Sequence, residues 1–211
     1  MSGDRLEGLV DILTKTRSNR TELIHCEKYG TPFYWYEAVG RASGPFTEEE
    51  QDKIIAAKKK DPPTADEVYP NLLIGNKAAA EDSYFLTKKR ISHVINMAAD
   101  SQTKFLVRPN REELSRRKIK LTEPKLKPED VMENIFESAG ELIEKSLQEG
   151  RRVMVNCWQG ASRSATVVLA YLIKYQGMKV EDALRMVKEK RDIRPNNYFL
   201  QYLIDLEETK G

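Results

Sequence analysis

The chain has little cysteine and little histidine, two of each in 211 residues. Two thiols cannot form the bridges that hold a small secreted scaffold together, so a reducing, intracellular compartment is expected, cytoplasmic with the nucleus left open. Each thiol is then core filler or chemistry. His25 and His93 lie far apart and only Cys26 adjoins one of them; two neighbouring ligands are too few for zinc, and no metal is expected. Long apolar runs are missing as well. The longest segments free of charge, 153–162 and 164–173, are ten residues each, about half of the ~20 a membrane helix needs. The opening Met1-Ser2-Gly3-Asp4 leads into amphipathic sequence rather than an apolar core, which speaks against a secretory signal. Nor does one sign of charge dominate: 35 Lys and Arg against 33 Asp and Glu leave +2, no global field for nucleic acid or membrane. Any anion site has to be local.

The first sixty residues differ from the rest. Leu6, Leu9, Val10 and Leu13 fall at helical spacing, so residues 4–16 are expected to form an amphipathic helix that needs a surface to lie on. Tyr29, Phe33, Tyr34, Trp35 and Tyr36 form an aromatic cluster, read as docking an extension onto its own domain. A helix from Thr47 to Lys60 is stopped by Asp61-Pro62-Pro63, and a compact domain is expected from residue 64 to 211, with 1–63 as its helical extension. Beyond that boundary strands and helices alternate. Strands are expected at 71–74, 91–97, 118–121 and 153–155, and helices at 77–90, 129–148, 163–175, 180–187 and 196–208, with a polar stretch at 100–117. Such alternation predicts an α/β fold with a central, mainly parallel sheet flanked by helices.

One segment carries chemistry. The apolar Val153-Met154-Val155 runs through Asn156 into Cys157-Trp158-Gln159-Gly160-Ala161-Ser162, and Arg163-Ser164 opens a buried helix. A short loop between a strand and a helix can turn successive N–H groups inward as a nest for a tetrahedral oxyanion, reinforced by the helix N-terminus. Gly160 permits the turn, and the planar fork of Arg163 suits two oxygens of a phosphoryl group. Cys157 at the rim stands in a field that favours the thiolate, a nucleophile for phosphoryl transfer. An isolated cysteine at a strand end is usually a small buried hydrophobe; the glycine, the arginine six residues on and the adjoining hydroxyl argue for phosphate binding.

At these residues the sequence resembles the cysteine-dependent dual-specificity protein phosphatases of the small, atypical kind, whose signature is His-Cys, five residues, Arg, then Ser or Thr. Residues 66–75 are similar to the family's opening strand, Ile91 to Asn96 to its next one, and Arg194-Pro195-Asn196 to the start of its last helix; the likeness covers residues 66–209. It implies that Cys157 becomes a phosphocysteine. It also implies that Arg163 and the N–H groups of Trp158, Gln159, Gly160, Ala161, Ser162 and Arg163 hold the phosphoryl oxygens, and that Ser164 assists hydrolysis of the intermediate. No cofactor is implied. The family's general acid is an aspartate after the third strand; here that position holds Glu123, with Asp130 in reserve. Asn156 stands where the family has histidine, a second departure.

The implied substrate is a phosphoprotein carrying phosphotyrosine, and phosphoserine or phosphothreonine. The rival reading, drawn from the two departures, is a catalytically weak scaffold that binds phosphoproteins. A lipid or nucleic-acid phosphatase is disfavoured because residues 158–162 contain no lysine or arginine to hold a polyphosphate. Basic runs at 58–60, 88–90 and 116–118 resemble patches by which some relatives grip protein kinases, although helix C-termini attract such residues anyway. Cys26 pairing with an oxidised Cys157 is a further option. The oligomeric state is left open.

Overall fold

The computed structural model describes residues 2–16, 62–98, 109–124 and 132–209. His25, Cys26, the aromatic cluster, Lys58 to Lys60 and Asp130 lie outside them. Five strands form one sheet: β1 (Ala65–Tyr69), β2 (Leu72–Gly75), β3 (His93–Asn96), β4 (Lys120–Thr122) and β5 (Val153–Asn156). Their order is β1-β2-β5-β3-β4, with β1 antiparallel to β2 and every other pair parallel. The mainly parallel α/β sheet expected from the alternation is therefore present. β2, β3 and β5 are buried at every residue, as near-continuous apolar runs are when helices cover both faces.

The helices are α1 (Ser2–Lys15), α2 (Lys77–Glu81), α3 (Ser83–Lys88), α4 (Arg111–Arg116), α5 (Met132–Gln148), α6 (Arg163–Gln176), α7 (Val180–Lys190) and α8 (Asn197–Glu208). α6 is the central one, buried from Arg163 to Ile173 and packed against β2, β5, α5, α7 and α8. It ends at Gly177, whose φ of 66° is the left-handed cap that glycine adopts without strain.

Three local features depart from the sequence expectation. The stretch 66–75 is a hairpin rather than one strand, because Asn71 takes φ 60° and turns the chain back. The single helix over 77–90 is two: Asp82 accepts a bond from the Phe85 N–H and starts α3 anew. The polar stretch before β4 contains α4, capped by Asn110 through the Glu113 N–H.

The surface for the first helix is provided by α7 and α8. Leu9 and Ile12 are buried there, each side chain stabilising the contact by roughly 1.5–3 kcal/mol. Arg5 spans the join, bonding Glu181 of α7 at 2.9 Å and pairing with Glu207 of α8. Both carboxylates favour its charged form and push the guanidinium above its ordinary value.

Candidate active site

Parallel strands deliver their C-terminal ends to one edge of the sheet, and Gly75, Asn96, Thr122 and Asn156 all end there. From Asn156 the chain enters the loop 157–162 and then α6. Four consecutive carbonyls of this loop are bonded to neighbouring elements. Trp158 O accepts from the Lys77 N–H at 2.9 Å and Ala161 O from the Arg194 N–H at 2.7 Å. Gln159 O and Gly160 O accept from Arg191, at 3.0 and 2.6 Å. In a planar trans peptide the next residue's N–H points opposite to the carbonyl. Turning those carbonyls outward directs the N–H groups of Gln159, Gly160, Ala161 and Ser162 to the inside of the loop.

Gly160 sits at φ 69°, and a Cβ there would run into the Gly75 carbonyl and the Arg191 guanidinium, so glycine is required on both grounds. Ser162, in the N-cap position of α6, makes no side-chain cap bond, and the first turn of α6 turns the positive end of the helix dipole toward the loop. The Trp158 side chain is buried beneath the Lys77 ammonium, 4.4 Å from its ring centre. It thereby tethers the loop to α2.

Cys157 is buried, with its Sγ 3.2 Å from the Ser164 hydroxyl. Arg163 is buried as well and donates from Nη1 to the Met97 carbonyl at 2.8 Å. Burial alone pulls its guanidinium down to about 10, which leaves it cationic at neutral pH. The loop thus combines a thiol, inward N–H groups and a permanent cation. The structure places Cys157, residues 158–162, Arg163 and Ser164 in one loop and helix start, with Cys157 and Ser164 in contact.

Glu123 follows β4 directly. Its Oε1 accepts from Asn96 Nδ2 at 3.0 Å, and its Oε2 pairs with Arg111. Asn96 Oδ1 accepts from the Ala98 N–H at 3.1 Å and from Asn156 Nδ2 at 3.0 Å. Asn156 Oδ1 has no partner among the described residues, yet exchanging its amide atoms would set two oxygens face to face at Asn96. The amide orientation is therefore fixed by its neighbour.

Neither Asn96 nor Arg191 stands out in the sequence. Arg191 reads as one more cation at a helix C-terminus, but it is buried and grips Gln159, Gly160 and Asp66 of β1, the last at 2.6 Å. The one signal for Asn96 is that β3 and β5, both buried throughout, each end in asparagine.

A cysteine and an arginine around such a loop, at the C-terminal edge of this sheet, define the class of cysteine-dependent phosphatases. A family model of the dual specificity phosphatase catalytic domain matches residues 72–209, and the chain belongs to that family. It is a dual-specificity protein phosphatase, which acts on phosphoproteins. Dual specificity protein phosphatase 26 of Bos taurus is 35% identical over 144 residues, 68% of this chain and 67% of the relative, and the Homo sapiens protein of that name matches equally. A solved mouse putative dual specificity phosphatase, complexed with zinc tungstate, has a TM-score of 0.58 at 27% identity, covering 71% of this chain and 90% of that one. For human tyrosine phosphatase-like serine/threonine/tyrosine-interacting protein the TM-score is 0.58 at 30% identity, covering 69% and 97%. The scaffold reading is not favoured by these findings. No helix among the described residues is long and apolar enough to cross a membrane.

Proposed function

We propose a two-step hydrolysis without cofactor or metal. The Cys157 thiolate attacks phosphorus; the Sγ–P bond forms, the P–O bond to the substrate breaks, and Glu123 gives its proton to the leaving oxygen. Water then attacks the phosphocysteine and passes a proton to Glu123 as the S–P bond breaks. The Ser164 hydroxyl, 3.2 Å from Sγ, hydrogen-bonds the departing thiolate. Arg163 and the N–H groups of residues 158–163, of which those of 159–162 are turned inward, hold the equatorial oxygens, whose charge changes least in position between ground and transition state. Supporting Glu123 over Asp130 is its place at the end of β4, bonded to Asn96.

The single observation that carries this reading is the loop itself, with four carbonyls drawn outward around Cys157 and Arg163. Its test is phosphate release from a phosphotyrosyl peptide, from a phosphothreonyl peptide and from an aryl phosphate. Cys157→Ser is expected to abolish all three, and tungstate, a tetrahedral oxyanion, to compete with substrate. Equal rates for the variant and the wild type would sink the reading.

The finer assignments belong to the same proposal: a signalling phosphatase of the cytoplasm, with a catalytic domain from residue 64 and an extension before it. A protein kinase is proposed as a partner. In support, Lys88 to Arg90 and Arg116 to Lys118 adjoin, since Arg117 bonds Thr87 across the gap at 3.3 Å, so the two basic runs form one patch. Charge reversal at Lys88 and Arg116 should slow turnover of a phosphorylated kinase while sparing an aryl phosphate.

A further inference from the structure

The two departures from the family signature, Asn156 for histidine and Glu123 for aspartate, are joined by one residue. Asn96, fully buried, takes the Asn156 amide proton on Oδ1 and gives its own to Glu123 Oε1, both at 3.0 Å. Asn96 and Asn156 are paired in register as the last residues of neighbouring strands, so neither is free to drift. The Ala98 N–H, also on Oδ1, sets which way the Asn96 amide faces. The chain of donors accordingly runs in one direction, from the residue before the nucleophile to the acid.

We infer that Asn96 and Asn156 are positioning residues, which hold the longer acid Glu123 in register with Cys157. Glutamate has one more rotatable bond than aspartate, and its carboxyl reaches farther by a methylene. Untethered, it would sample positions about 1 Å from the productive one, a displacement that costs on the order of a hundredfold in rate. With Oε1 held by a buried amide, Oε2 is the reacting oxygen. It carries the proton to the leaving group in the first step and takes one from water in the second. Its partner Arg111 is 70% exposed in its side chain, and can swing aside while Asn96 stays. Histidine at position 156 would not supply this amide donor, and aspartate at 123 would not reach Asn96 from the same backbone position.

This inference rests on the proposed roles of Cys157 and Glu123, and the test separates them. Turnover is compared on a phosphotyrosyl peptide, whose phenol must be protonated to leave, and on a dinitrophenyl phosphate, whose leaving group departs unaided. The readout is the ratio of the two kcat/KM values, which report phosphocysteine formation alone; a merely structural defect would lower both and leave their ratio unchanged. Glu123→Gln should raise the aryl-to-peptide ratio about a hundredfold. Asn96→Ala should raise it about tenfold, and Asn156→Ala, which keeps the Asn96 bond to Glu123, severalfold in the same direction. Asn156→His combined with Glu123→Asp should recover peptide turnover relative to Asn156→His alone, a coupling between sites that do not touch. Should Asn96→Ala fail to fold, Asn156→Ala and the double variant decide. A raised ratio for Glu123→Gln with unchanged ratios for the asparagine variants overturns this inference alone. An unchanged ratio for Glu123→Gln overturns it together with the acid assignment, and an active Cys157→Ser overturns the mechanism as well.

Discussion

Replacing Gly160 by alanine should disable the loop while leaving the fold standing. An alanine at φ 69° costs roughly 1–2 kcal/mol of backbone strain before any contact is considered. The contacts are worse. The new Cβ would lie 2.6 Å from the Gly75 carbonyl carbon and 2.5 Å from Arg191 Nη2, against a comfortable carbon separation of about 3.5–4.0 Å. About 1 Å has to open. Gly75 cannot yield, because it is paired with Ala65 on one side and Asn156 on the other. If Arg191 withdraws instead, it releases the Gln159 and Gly160 carbonyls and the N–H groups behind them lose their direction. Either route shifts the oxyanion donors by about 1 Å, and kcat/KM on an aryl phosphate should fall on the order of a hundredfold. Tungstate competition should weaken in parallel, since the same donors hold it. The backbone strain alone should lower thermal melting by a few degrees, at roughly 2–4 °C per kcal/mol for a chain of this size, and release of the two carbonyls by Arg191 adds to that loss. A Gly160→Ala enzyme within about threefold of wild-type kcat/KM would refute the reasoning.

Three other outcomes are expected. Arg191→Lys keeps the charge but cannot fork across two carbonyls and Asp66; the buried acceptors left behind cost about 1–3 kcal/mol each, seen as a lowered urea midpoint and at least a tenfold fall in kcat. Leu9→Ala should destabilise the protein by about 2–3 kcal/mol in urea melts, since this side chain is wholly buried between α1 and its supports; an unchanged midpoint would mean that the helix does not dock. His93 is buried, and burial lowers it to about 4. Ser146 already gives its hydroxyl proton to Leu142 O at 2.6 Å, so His93 Nδ1 donates to Ser146 and Nε2 accepts from Thr122. The unfolded chain, with its histidine near 6.5, binds the extra proton first, so stability is complete above that value and falls as the pH drops from about 6.5 toward 4. The loss by pH 5 is about 2 kcal/mol. His93→Gln should flatten the stability difference between pH 7 and pH 5, and equal slopes in variant and wild type would refute the burial argument.

What the sequence makes legible is what lies close together along it. Val153 to Ser164 contains strand, loop and helix start within twelve consecutive residues, so thiol, glycine and arginine can be recognised by spacing alone. The alternation of apolar strands with amphipathic helices likewise shows through, because each element is patterned by its own burial. The order of the strands does not: β5 inserts between β2 and β3, a choice made by packing across the whole chain. Asp82 illustrates a subtler loss. Periodicity alone carries one helix from 77 to 90, and only the cap bond to Phe85 reveals that a side chain has restarted it. Arg191 and Asn96 are invisible for a third reason. Their partners lie 31 and 60 residues away, and arginine and asparagine are too common at element ends for position to betray them.

The sheet's polarity explains why those distant residues meet. Four parallel strands present their C-terminal ends on one side, and polar side chains gather at those ends: Asn76 just after β2, Asn96 on β3, Glu123 just after β4 and Asn156 on β5. β1 runs the other way, so its start lies at the same edge, with Ala65 opposite Gly75, and Asp66 falls within reach of Arg191. The opposite edge, where the parallel strands begin, carries cations in the turns that lead into the strands: Arg90 shortly before β3, Lys118 before β4, Arg151 and Arg152 before β5. Asparagine suits the C-terminal edge because it bonds neighbours through both ends of its amide without adding charge. An array of neutral amides can brace a carboxylate beside an oxyanion-binding loop; lysines there would compete with Arg163 for the phosphoryl oxygens, and extra carboxylates would repel them.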